Sequence, residues 1–156
     1  MPARLQAIAG CIETGAKVAD IGTDHGMLPA YLAQNNLASS IIASDKSAES
    51  LKSALRTAAK YDVTDMIKFV TADGLAGISE TEADAIVTAG VGGETIIKIL
   101  EDAPWTKKAG IRLILQPQTK IDELRRWLCE NGYAIADTVP VSDKGRVYTI
   151  LIAGGS

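Results

Sequence analysis

The stretch KVADIGTDHGMLP, residues 17–29, decides the fold of this 156-residue chain. A short apolar run leads into a loop that contains glycines, and a helical pattern follows over residues 28–35. A strand, a loop and a helix in this order are typical of an open α/β sheet, whose ligands bind beside the carboxyl ends of the strands. Gly22 and Gly26 let the backbone approach a ligand there, and the first amides of the helix point towards it.

Apolar runs and helical patterns alternate outward from this stretch. Strands are predicted over residues 17–21, 40–44, 67–71, 85–89 and 111–115, and helices over residues 3–13, 28–35, 47–61, 94–101 and 121–130. The last two apolar runs, residues 133–141 and 146–153, flank the turn signal SDKG and predict an antiparallel hairpin. The sequence therefore predicts one α/β domain over residues 1–156, with helices on both faces of a mostly parallel seven-stranded sheet that carries one antiparallel strand.

The composition indicates a globular domain with an aliphatic core. Hydrophobic residues make up 47% of the chain and aromatic residues only 4%, so alanine, valine, isoleucine and leucine must fill the interior, as in buried parallel strands. The formal net charge of −3 argues against a protein devoted to gripping nucleic acid and leaves room only for a local basic patch.

The cysteines and the N-terminus indicate in which compartment the chain is expected. Cys11 and Cys129 lack the spacing of metal ligands and are too few for a disulfide scaffold, so no metal is expected. The N-terminal MPARLQAIAG lacks the apolar segment of a signal peptide, and no window approaches the roughly 18 apolar residues of a membrane helix. We therefore expect a cytoplasmic domain without membrane contact.

Carboxylates stand at the ends of three successive predicted strands, at Asp20, Asp45 and Asp73. The first loop spaces its glycines G-x-x-x-G, unlike the G-x-G-x-x-G of dinucleotide-binding dehydrogenases. Asp45 lies where a carboxylate accepts hydrogen bonds from the ribose hydroxyls of a nucleoside, although it could instead cap the next helix. Asp73 precedes Gly74 where methyltransferases place an acid beside adenine, or the pair forms an ordinary turn. Together with the terminal hairpin, the acids favour S-adenosylmethionine over a nicotinamide dinucleotide.

The segment AGVGG, residues 89–93, follows the fourth predicted strand. Its glycines remove side chains where a methyl donor would meet its acceptor, and they would admit a flat ring; the alternative is a tight turn with Gly93 near the helix cap. The N/D-P-P-Y/F motif of methyltransferases that act on exocyclic amines is absent, which favours a ring nitrogen as acceptor. His25, the single histidine, lies in the first loop, and Gln116 ends the fifth strand, where its amide could bind a base edge.

These motifs together resemble a known family. Arg4-Leu5, DIGTDH at residues 20–25, Leu28-Pro29, DGL at 73–75, AGVGG at 89–93 and LILQP at 113–117 are similar, in order and spacing, to the bacterial tRNA (adenine-22-N1)-methyltransferases. The resemblance implies a Rossmann-like class I methyltransferase fold, S-adenosylmethionine as methyl donor and N1 of a tRNA adenine as acceptor. Two features depart from the family. Its helical C-terminal extension is absent, so we expect either the catalytic domain alone or a shortened relative, and residues 46–48 read KSA where the family has a Gly-Pro step.

The loops and the resemblance together define the expected site. The catalytic candidates are Asp24, His25, Gly92 and Gln116. The cofactor-binding candidates are Asp20, Gly22, Thr23, Asp24, His25, Gly26, Asp45, Lys46, Asp73, Gly74, Ala89 and Gly90. The candidates for binding the tRNA substrate are Arg4, Gly93 and Pro117.

The expected chemistry requires alignment more than a base, because neutral adenine N1 carries a free lone pair. Asp24 is expected to stabilise the cationic product ring or to take a proton from N6. Candidates for phosphate contacts are Arg4, the Lys52/Arg56/Lys60 face, Lys107-Lys108 and Arg125-Arg126, each of which is also typical of a solvated helix face. Two alternatives are a methyltransferase of a small molecule or protein, and a non-catalytic module that binds S-adenosylmethionine or a nucleotide.

Overall fold

The computed structural model describes residues 1–155, which form one sheet with helices on both faces. The strands are β1 (Ala16–Ile21), β2 (Ala38–Asp45), β3 (Lys68–Thr71), β4 (Ala85–Val91), β5 (Arg112–Pro117), β6 (Tyr133–Asp143) and β7 (Arg146–Gly155). The α-helices are α1 (Ala3–Gly10), α2 (Met27–Gln34), α3 (Ala48–Lys60), α4 (Gly93–Glu101) and α5 (Ile121–Glu130). Short 3₁₀ turns at Thr64–Met66 and Pro104–Lys107 complete the described chain.

The strand order confirms the predicted fold class. Within residues 1–155 the sheet runs β3-β2-β1-β4-β5-β7-β6, and β7 runs antiparallel to both of its neighbours, β5 and β6, whereas the pairs among β1 to β5 are parallel. The chain moves outward from β1 to β3, returns, and moves outward again from β4. The reversal between β1 and β4 therefore opens a crevice at the carboxyl ends of the central strands, where open α/β sheets bind ligands.

Alternation along the strands divides the core between the two faces of the sheet. Val18, Val87 and Ile114 belong to the cluster that includes residues of α1, α2 and α3. Their chain neighbours Ala19 and Ile86 belong to the opposite cluster with residues of α4 and α5. Strands that are buried on both faces account for the continuous apolar runs in the sequence.

The first helix is shorter than the periodicity predicts. The pattern indicates a helix over residues 3–13, whereas α1 ends at Gly10. Gly15, with a φ of 90°, then leads the chain into β1. Ile12 continues the apolar pattern because it is buried in the core, although it lies outside the helix. The pattern therefore reports burial at this position and not helical structure.

Two turns depend on residues with positive φ, and the second confirms the predicted hairpin turn. Gly132, with a φ of 87°, follows the end of α5 as a left-handed stop. In the terminal hairpin, Asp143 pairs with Arg146 across Lys144 and Gly145, whose φ angles are 51° and 78°. Two consecutive positive φ angles define a type I′ turn, which matches the twist of the strands that it joins.

None of the helices within residues 1–155 is both long and apolar enough to cross a membrane.

Candidate functional site

A cavity of about 980 Å³ lies at the carboxyl ends of β1, β2 and β4. Its volume is that of a small-molecule binding site. Of the residues predicted for the site, those that line it are Arg4, Asp20, Gly22, Thr23, Asp24, His25, Asp45, Lys46, Asp73, Gly74, Ala89 and Gly90. The structure therefore brings together most of the predicted residues, because parallel strands end at one edge of the sheet.

The loop after β1 is fastened to the neighbouring strand by its backbone. The N–H groups of Gly22 and Thr23 donate to the Ser44 carbonyl oxygen at 2.8 and 2.9 Å. Gly22 has a φ of 76°, and a Cβ built there would meet no protein atom within 4 Å. Its open side thus faces the cavity, and a ligand can approach the loop backbone closely.

Asp20 is a buried carboxylate at the cavity. The Thr23 hydroxyl donates to Asp20 Oδ2 at 2.9 Å. Burial raises the pKa of Asp20 to about 6, the Thr23 hydrogen bond and the Arg4 charge lower it, and the charge of Asp45 raises it. Asp20 therefore changes its protonation state close to neutral pH.

Backbone amides orient the carboxylate of Asp45. Its Oδ2 accepts from the Asp24 N–H at 3.1 Å, and its Oδ1 accepts from the Ser47 N–H at 3.0 Å. Ser47 caps α3 instead of Asp45, since its hydroxyl accepts from the Ser50 N–H. Asp45 is thus a half-buried acceptor whose remaining lone pairs are available to the cavity.

The rim of the cavity carries an aspartate and a histidine. Asp24 has a φ of 56°, and its Oδ1 lies 3.8 Å from His25 Nε2. His25 Nδ1 lies 2.7 Å from the Ser53 hydroxyl in the second turn of α3. Both side chains are mostly exposed, at 71% for Asp24 and 66% for His25. They can therefore meet a large substrate that enters from solvent.

Asp73 and Gly74 follow β3 in a tight turn. The Asp73 carbonyl accepts from the Ala76 N–H, so the turn that the sequence leaves open as an alternative is present. Both residues nevertheless line the cavity, and Gly74 has a φ of 59°. The backbone of this segment is tied to β2, because the Ala72 N–H donates to the Asp45 carbonyl at 3.1 Å.

The carboxyl end of β4 offers space and one hydroxyl. Gly90 has a φ of 77° and borders the cavity. Thr88 also borders it, and its buried hydroxyl has no hydrogen-bond partner within the described chain. A buried polar atom without a partner is costly, so the Thr88 hydroxyl is available to a polar ligand atom.

Arg4 reaches the cavity from α1 and is held from behind by Gln116. Arg4 Nη1 donates to Gln116 Oε1 at 3.0 Å, and the guanidinium carbon lies 5.7 Å from the centre of the Tyr148 ring. Gln116 is fully buried and does not line the cavity. Its amide therefore supports the orientation of Arg4, and it does not present a free edge to a base.

Four other predicted residues lie outside the cavity lining: Gly26, Gly92, Gly93 and Pro117. A Cβ on Gly26 would lie 2.7 Å from the Ala54 Cβ, and one on Gly93 would lie 2.6 Å from the Lys120 carbonyl oxygen. These glycines allow close packing of the backbone. Gly92 is the N-cap of α4, and Pro117 is buried at the end of β5.

The structure adds residues that the sequence analysis does not assign to the site. Glu94, Thr95 and Lys98 line the cavity from α4, and Gln118 lines it just after β5. The α4 residues lie on the polar face of an amphipathic helix that begins directly after the glycine loop. The position of this helix next to the glycine loop was the only sequence signal for these residues. Polar residues on the solvent face of a helix follow the same pattern whether or not they line a site.

The predicted phosphate-binding residues are dispersed over the surface. Lys52 pairs with Glu49 at 3.4 Å, and Lys108 pairs with Glu80 at 2.9 Å. Lys60 and Lys107 lie 5.5 and 5.8 Å from the centres of the Tyr61 and Tyr133 rings. Of the lysines and arginines predicted to contact phosphates, only Arg4 lines the cavity. Within residues 1–155, no group of histidine, cysteine, aspartate and glutamate side chains is arranged to hold a metal ion.

Comparison with known proteins assigns the chain to a family. A model of the methyltransferase domain family matches residues 1–151. The chain is 40% identical over 150 residues to the tRNA (adenine(22)-N(1))-methyltransferase of Bacillus subtilis, an alignment that covers 96% of this chain and 63% of the relative. The chain thus spans less than two thirds of that protein.

Solved structures show the same relationship. The crystal structure of the B. subtilis m1A22 tRNA methyltransferase TrmK has a TM-score of 0.93 and 38% identity, covering 100% of this chain and 67% of that one. The structure of M. capricolum TrmK in complex with S-adenosylhomocysteine has a TM-score of 0.87 and 28% identity, with coverage of 100% and 69%. The chain therefore belongs to the methyltransferase domain family, within the group of the bacterial tRNA (adenine-22-N1)-methyltransferases.

Proposed function

We propose that the chain is an S-adenosylmethionine-dependent methyltransferase that methylates N1 of an adenine in tRNA. The observation that carries this proposal is one cavity in which Gly22, Asp45, Asp73 and Gly90 converge from four separate strand ends. The family of the chain supports the same activity. A tRNA substrate also implies a cytoplasmic location.

The residues around the cavity fit S-adenosylmethionine. Asp45, oriented by two backbone amides, would accept hydrogen bonds from the ribose hydroxyls. Asp73 would lie beside the adenine of the cofactor, and the open side of Gly22 would admit its amino-acid part. The unpaired Thr88 hydroxyl and the buried Asp20 supply further polar groups on the same side.

The chain's own residues would position the acceptor base and balance its charge. When bound, S-adenosylmethionine supplies a methyl group on a positively charged sulfur. The free lone pair of adenine N1 needs no general base, so Gly90 contributes by leaving room for the flat ring. Asp24 holds a carboxylate at the rim, where it would stabilise the cationic product or accept a proton from N6.

The proposal is tested by transfer of a labelled methyl group to unmodified tRNA, followed by nucleoside analysis. The expected product is 1-methyladenosine, and a transcript with guanine in place of adenine 22 should remain unlabelled. Calorimetry should detect binding of S-adenosylhomocysteine but not of NAD. Methylation of a protein or small molecule with no labelling of tRNA would overturn the assignment of the substrate, and binding without any transfer would overturn the assignment as an enzyme.

A further inference from the structure

The terminal hairpin extends beyond the part of the sheet that supports it. β6 pairs with β7 from Tyr133 to Asp143, whereas β7 pairs with β5 only from Leu151 to Ala153. Residues 139–150, here called the hairpin arm, therefore form a two-stranded ribbon at the carboxyl edge of the sheet, where the cavity lies. An isolated two-stranded ribbon is marginally stable in water, so contacts with the rest of the domain must hold the arm in place.

The arm is docked on α1, next to the cavity. Val139 and Val141 pack against the core cluster that includes α1. Asp143 Oδ2 accepts from the Arg4 N–H at 3.3 Å, at a helix N-terminus whose own cap residue, Pro2, provides no side-chain hydrogen bond. The Arg4 guanidinium also lies over the Tyr148 ring of the arm. These contacts thus hold the tip of the arm beside Arg4, which lines the cavity.

The tip carries two basic side chains beside the Asp143 carboxylate, which accepts the hydrogen bond from the Arg4 N–H. Lys144 and Arg146 are exposed, and no carboxylate within residues 1–155 forms a salt bridge with either. Between them, Gly145 completes the type I′ turn that fixes their separation. The next residue, Val147, is 72% exposed, more than any other large hydrophobic residue of the described chain.

We propose that the hairpin arm binds the backbone of the RNA substrate beside the target adenine. Lys144 and Arg146 would contact phosphates, and Val147 would pack against a neighbouring sugar or base. Phosphate contacts set the position and orientation of a nucleic acid. Two positively charged side chains on a tight turn next to the cavity can therefore direct one nucleotide into the cavity. This inference rests on the proposed function, because it requires an RNA acceptor.

The test compares two double variants that remove the same charge at opposite edges of the sheet. Lys144→Ala/Arg146→Ala should raise the KM for tRNA about ten-fold and reduce the slope of log affinity against log salt by about 1 to 2. Its affinity for S-adenosylhomocysteine, measured by calorimetry, should stay within about two-fold of the unmodified chain. The control Lys17→Ala/Lys68→Ala lies at the amino ends of β1 and β3 and should leave both tRNA measurements unchanged.

The outcomes separate this inference from the proposed function. If the unmodified chain methylates tRNA and the arm variant keeps its KM and salt slope, the arm does not bind RNA. Equal losses in the arm and control variants would also refute the inference, because net charge alone would then explain them. If the unmodified chain does not methylate tRNA, the proposed function fails and the inference fails with it.

Discussion

The loop after β1, residues 22–26, and the glycine-rich segment at the end of β4 and the start of α4, residues 90–93, are here called the two binding loops, and they border the same cavity with different chemical character. Both open with a cavity-lining glycine of positive φ, Gly22 at 76° and Gly90 at 77°. The first loop then places a threonine, an aspartate and a histidine at the site, over residues 23–25. The second has only a valine and a glycine before its final glycine. One loop supplies polar groups, and the other supplies room.

In both loops the first glycine borders the cavity and the last glycine packs against the protein. Gly26 and Gly93 are buried, and a Cβ on either would come closer than 3 Å to Ala54 or Lys120. These glycines hold the loops against the neighbouring helix and turn. A glycine in a binding loop is therefore no evidence by itself of ligand contact, because its partner can be the fold.

The largest effect is expected from Gly26→Ala. The new Cβ would lie 2.7 Å from the Ala54 Cβ, and the φ of 69° at Gly26 strains any residue with a Cβ. Overpacking and backbone strain together should lower the unfolding free energy by about 3–4 kcal/mol. Denaturant unfolding measures it. The matched control is Gly77→Ala, which has a φ of 80° and no atom within 4 Å, and should lose only about 1 kcal/mol. Equal losses in the two variants would remove packing as the role of Gly26.

The second effect concerns Asp20, the buried carboxylate in β1 just before the first binding loop. Asp20 has a folded-state pKa of about 6, above its unfolded value, so the folded chain binds the extra proton between about pH 4 and 6. The unfolding free energy should therefore fall as the pH rises through this window, by about 3 kcal/mol at most. Asp20→Asn should abolish this dependence in urea titrations from pH 4 to 7.

A variant of the neighbouring hydroxyl sharpens the same measurement. Thr23→Val removes the hydrogen bond that lowers the pKa of Asp20, so the upper end of the window should move to higher pH. Identical curves for Asp20→Asn and the unmodified chain would show that this carboxylate is not the source of the dependence.

The third effect separates the chemical contributions of the loops. Asp24→Asn keeps the side-chain size, tolerates the left-handed backbone and retains the N–H donated to Asp45, but removes the charge. We expect kcat for tRNA methylation to fall about 100-fold, with the affinity for S-adenosylhomocysteine within about two-fold. Gly92→Ala, in the other loop and off the cavity, should change kcat by less than about three-fold. An unchanged kcat in Asp24→Asn would remove Asp24 from the mechanism.

The smallest effect concerns the open side of the first loop. Gly22→Ala would place a methyl group at the cavity, so the affinity for S-adenosylhomocysteine should fall about ten-fold while the unfolding free energy falls by about 1 kcal/mol. Gly77→Ala, with the same backbone penalty away from the cavity, should bind normally. If both variants bind normally in calorimetry, the ligand does not approach Gly22.

Much of the site was predictable from the sequence because the topology brings the carboxyl ends of the parallel strands to one edge of the sheet. Asp20, Asp45 and Asp73 each lie within two residues of the carboxyl end of a strand, and parallel strands place such residues at one edge of the sheet whatever the details of packing. Gln116 was predicted by the same argument, yet its side chain is buried behind Arg4. Which face of the strand a terminal residue occupies depends on the register, and the position of the strand end does not reveal it.

The sequence by itself determined the fold class, the order of the elements and the edge of the sheet that holds the site. Apolar periodicity and strand-end residues are local properties, and they survive any variation in packing. Only the tertiary structure decided which glycines face the cavity, that Arg4 rests on Gln116, and that the hairpin arm ends beside Arg4. Those relations join residues far apart in the chain, whose proximity arises from the packing of helices and strands and leaves no local mark in the sequence.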